Sequence, residues 1–85
     1  MATIREIHNA AMDLIEDGIA FASEDDSDAA IQSHEGALSR LHIICERLTA
    51  TQNETNTDVE LTLSIIKREI AFVEAQLKEV KRKRD

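Results

Sequence analysis

The chain is 85 residues long with a net charge of −7, 42% apolar and 32% charged residues, two glycines, one cysteine and no proline. This composition suits one helical domain over residues 1–85, with a modest core that a second copy would extend. It weighs against an ordinary DNA or RNA binder, which needs a basic stripe to neutralise phosphates, and it excludes an internal disulfide, because Cys45 is alone, and a membrane span, because the apolar runs are only a few residues long. The N-terminus has no basic-then-apolar signal pattern, so the expected location is cytoplasmic.

The first predicted helix covers about residues 3–23. Thr3 and Glu6 form a Thr-x-x-Glu capping box, in which the hydroxyl takes one free amide and the glutamate reaches back to another. Ile4, Ile7, Ala11, Leu14, Gly18 and Phe21 then recur at alternating steps of three and four, one helix face. Met12, Ile15 and Ile19 widen that face toward half the circumference, which predicts contact with both other helices. Gly18 sits on the seam, where the missing side chain lets a neighbouring backbone come close.

Ser23 to Asp28 is the first connection, short, polar and rich in cap residues. Its carboxylates fall near the N-terminus of the next helix, where the dipole favours negative charge. The same acids also make a docking patch for a basic partner. The second helix covers about residues 28–50, with Ile31, His34, Leu38, Leu41, Cys45 and Leu48 on the seam and Ala30, Ala37 and Ile44 beside it. His34 is the polar member of that row, expected as a core histidine whose ring is satisfied by a neighbour. Thr49 to Asn56 is polar and β-branched and reads as the second connection. Its Asn53-Glu54-Thr55 triplet matches a glycosylation acceptor, a chance match where no secretion signal is present.

The third helix, about residues 57–83, opens with a second capping box, Thr57 to Glu60. It carries the clearest periodicity in the chain: Val59, Leu63, Ile66, Ile70, Val73, Leu77 and Val80. A second stripe, Leu61, Ile65 and Phe72, lies about a third of a turn away. Two stripes imply two contacts, one inside the bundle and one either with the other helix of the same chain or with a partner. Because this helix is longer than the first, it is expected to overhang it and to leave Leu77 and Val80 for a partner as well. The closing Lys81-Arg82-Lys83-Arg84 lies where free carbonyls favour positive charge.

Charge is uneven. Residues 1–23 hold one base and four acids, 24–56 two bases and seven acids, and 57–85 seven bases and six acids. The acidity therefore belongs to the first two helices and their turn, where Asp13, Glu16, Asp17, Glu24, Asp25, Asp26 and Asp28 form an acidic patch. There is no Gly-rich phosphate loop, His-Glu-x-x-His, paired cysteines or nucleophile elbow, and neither catalysis nor a cofactor is expected. If the first two helices form an antiparallel hairpin, His8, His42 and Cys45 fall at one level, a set of the type that binds zinc. Buried cysteine and hydrogen-bonded histidines are the favoured reading of the three.

Leu14, Asp17-Gly18, Phe21, Ala30, His34, Ala37 and Leu38 have spacings that resemble a tetratricopeptide helical hairpin, in which small residues let two helices nest. With a long third helix following, the outline is similar to an MIT domain, a three-helix module that grips helical peptides in its grooves. Asp17, His34 and His42 depart from the tetratricopeptide pattern, and no second repeat is present to stack. The resemblance implies a helical hairpin closed by a third helix with an interhelical groove.

These observations predict an all-α, antiparallel three-helix bundle, dimerising through the long C-terminal helix. The function expected is that of a small non-catalytic interaction or regulatory module, of a bacterial or phage type, that binds a protein partner or a second copy through Leu61, Ile65, Phe72, Leu77 and Val80. The alternative is an acidic inhibitor or nucleic-acid mimic, of the anti-CRISPR, anti-restriction or antitoxin kind, that fills a basic groove on an enzyme.

Overall fold

A computed structural model of the protein describes residues 3–50 and 57–84. It contains α1 (Ile4–Ser23), α2 (Ser27–Ala50) and α3 (Thr57–Arg84), with no strand among the described residues. The fold is an all-α three-helix bundle, as the periodicity predicts. Most of the second predicted connection, the Asn53-Glu54-Thr55 triplet and the Thr57 side of the second capping box lie outside the described residues. No described helix is long and apolar enough to cross a membrane.

α1 starts at Thr3, whose backbone is extended (φ −75°, ψ 161°) and whose hydroxyl oxygen accepts a hydrogen bond from the Glu6 amide at 3.2 Å. It ends in a Schellman motif. Asp25 takes the left-handed conformation at φ 60°, its amide donates to the Ala22 carbonyl at 3.2 Å, and the Asp26 amide donates to the Phe21 carbonyl at 2.9 Å. Asp26 then opens α2. Its Oδ1 accepts from the Ala29 amide at 3.3 Å and its carbonyl accepts from the Ala30 amide at 3.0 Å. Three residues, Glu24 to Asp26, thus close one helix and start the next, and α2 begins at Ser27 because Asp26 is its cap. Asp28 follows in the first turn, where the helix dipole stabilises its charge.

The shared wall of the bundle is α2. Both α1 and α3 pack along it, whereas α1 and α3 approach each other only sparsely. On α2 the residues Ala30, Ile31, Ser33, His34, Ala37, Leu41, Ile44 and Leu48 are buried, an arc of about 160° at 3.6 residues per turn. On α1 burial is complete only at Ala11, Ile15 and Gly18. α1 does touch both neighbours, as expected, but its contact with α3 is slight, and the helix packed extensively against two others is α2. Leu38 and Cys45, placed on the α2 seam by spacing, are only half-buried. The molecule extends over 45 × 23 × 14 Å. Its long axis is close to the length of α3, about 42 Å at 1.5 Å per residue, and the unequal cross-section reflects α1 and α3 splayed to either side of α2.

A second correction concerns Leu77 and Val80. Both are buried, at 7% and 6% exposure, within the same core as Leu63, Ile66 and Val73. They do not overhang anything, because α3 packs mainly along α2. The C-terminal half of α3 lies level with the first turns of α2, where Arg84 reaches Asp28 at 3.2 Å and Lys81 reaches Glu35 at 4.0 Å.

α1 packs tightly on α2 at Gly18. A Cβ added there would stand 2.5 Å from Cε1 and Nδ1 of His34, so the glycine makes room for an imidazole ring and not, as its seam position suggests, for a backbone. His34 is fully buried, and its Nδ1 donates to the Ala30 carbonyl at 2.7 Å. Its Nε2 is buried without a hydrogen-bond partner, so the ring is only half satisfied. Leaving such an acceptor unpaired costs about 1–3 kcal/mol, offset by the close packing of the ring on Gly18.

Two substitutions test this description. Gly18→Ala should lower stability by about 1–3 kcal/mol in urea unfolding, since the methyl group must displace a ring that has no free space. Combining it with His34→Ala should recover part of that loss as non-additivity; strict additivity would mean that the two side chains do not compete for space. Asp25→Gly should raise stability by about 0.5–1 kcal/mol, because glycine adopts the left-handed conformation without a Cβ penalty.

Candidate docking face

On α3 the inward stripe is consumed by the core. Leu63, Ile66, Val73, Leu77 and Val80 are buried, and Val59 and Ile70 are half-buried against them. The second stripe has no such cover. Leu61 is 59% exposed, Ile65 53% and Phe72 46%. At 3.6 residues per turn the three fall within an arc of about 40°, roughly a third of a turn from the centre of the core stripe. Together they form an exposed apolar strip along α3, with Arg68 between Ile65 and Phe72.

The groove between α1 and α3 borders this face. A hollow of about 300 Å³ is lined there by Ile4, Arg5, His8, Thr62, Ile65 and Ile66. A side-chain tie spans the groove. Nε2 of His8 donates to both carboxylate oxygens of Glu69 at 2.9 Å, with both groups partly buried. This tie holds α1 to α3 where their backbones barely meet, and it fixes the wall of the hollow next to Ile65.

His8 is thus engaged with Glu69, His42 is exposed and Cys45 is half-buried. Among the described residues no three His, Cys, Asp or Glu side chains converge as a metal cage. The candidate set His8, His42 and Cys45 is therefore not brought together. Spacing along α2 alone put His42 and Cys45 on one face; it did not foresee that α3 would supply the partner for His8.

The acidic patch is exposed throughout: Asp13, Glu16 and Asp17 on the outer face of α1, Glu24, Asp25 and Asp26 in the turn, and Asp28 in the first turn of α2. Part of it does local work, as Asp26 caps α2 and Asp28 accepts from Arg84. The basic end of α3 is likewise engaged within the chain. Lys81 faces Glu35, Arg84 faces Asp28, and Arg82 donates to Glu79 at 2.6 Å and 3.3 Å. Two exposed apolar residues escaped notice in the sequence as surface features. Ile43, at 40%, sits with Ile7, Ala10 and Arg40 around a shallow hollow between α1 and α2, and Ile19, at 45%, lies on α1 where its spacing had suggested core.

The Arg82 guanidinium, first through its hydrogen bond and then through its charge, holds the Glu79 carboxyl below its ordinary value of 4.5. A depressed carboxyl stabilises the folded helix only while ionised, so the contribution is present above the unfolded value and is lost as pH falls through the folded one. Glu79 should therefore titrate below pH 4.5 in a carboxyl-carbon NMR titration. Replacing Arg82 with Ala should move that midpoint upward, and an unmoved midpoint would show that the pair does not persist in solution.

Comparisons of the chain with protein-family models, with curated proteins and with solved structures find no match.

Proposed function

We propose that the protein is a small, non-catalytic helical interaction module that docks a helical protein partner on the outer face of α3. The observation that carries this reading is the exposure of Leu61, Ile65 and Phe72 on one narrow strip of a helix whose other apolar strip already forms the core. The i, i+4, i+11 spacing of the three side chains suits the apolar face of a helix laid alongside. Leu77 and Val80 act from inside, by holding α3 against α2.

A second reading keeps the acidic patch as the working surface, with the protein filling a basic groove on an enzyme as an inhibitor or nucleic-acid mimic. The net charge of −7 and the exposure of all seven patch acids favour it. The two readings separate by salt and by mutation. Docking led by the apolar strip should change little between low and moderate ionic strength, whereas binding led by carboxylates should weaken steeply. Phe72→Asp should abolish partner binding with helicity unchanged by circular dichroism, while changing Asp25, Asp26 and Asp28 to Asn should leave it intact. Binding that survives Phe72→Asp and fails in the Asn variant would transfer the function to the acidic surface.

A further inference from the structure

We draw no further inference here: the strongest candidate, the exposed strip of Leu61, Ile65 and Phe72 on the outer face of α3, is the docking face already described, and nothing in the structure shows what covers it.

Discussion

Burial of one broad arc of α2 against two different helices is the constraint from which the rest of this structure follows. A helix with a narrow apolar stripe can satisfy it with one neighbour, but an arc of about 160° needs two. Ala30, Ala37, Leu41 and Ile44, all fully buried, mark the centre of that arc. Small residues at 30 and 37 allow close approach, and Gly18 on α1 does the same from the other side by receiving the His34 ring. Once α2 is covered by α1 on one flank and α3 on the other, little is left to draw α1 and α3 together, and the bundle is flattened accordingly.

That flattening sets the surface of the molecule. In a closed triangular bundle α3 would turn its second stripe toward α1. Here α1 reaches it at the His8 to Glu69 tie and the edge of the groove, and Leu61, Ile65 and Phe72 remain largely exposed. The helix thus carries two apolar strips, one in the core and one exposed. The division is sharp because both strips obey the same 3.6-residue repeat and differ only in phase.

The acidic turn illustrates how local structure and surface charge share residues. Asp25 supplies the left-handed position that ends α1, Asp26 supplies the cap that starts α2, and Asp28 meets the dipole and Arg84. Each has a structural reason to be there, and each is still exposed. The basic end of α3 is similarly tied to α2 acids, so that the charge of the two segments is partly compensated within one chain.

Periodicity, capping and turn chemistry are local, and the sequence by itself determined what depends on them: three helices, their approximate ends, the core stripe of α3 from Val59 to Val80, and the existence of a second stripe. The Thr3 cap and the short acidic turn were legible for the same reason, since each is settled by residues within a few positions of one another. Tertiary structure decided which helix stands in the middle, that Leu77 and Val80 are covered while Leu61, Ile65 and Phe72 are not, that Gly18 meets a ring, and that His8 finds Glu69 sixty-one residues away instead of His42 and Cys45. A helical repeat records which residues share a face but not which neighbour that face will meet, because the choice is made by packing between segments distant in the chain, where the widest apolar arc takes two partners and the remaining faces are left to solvent.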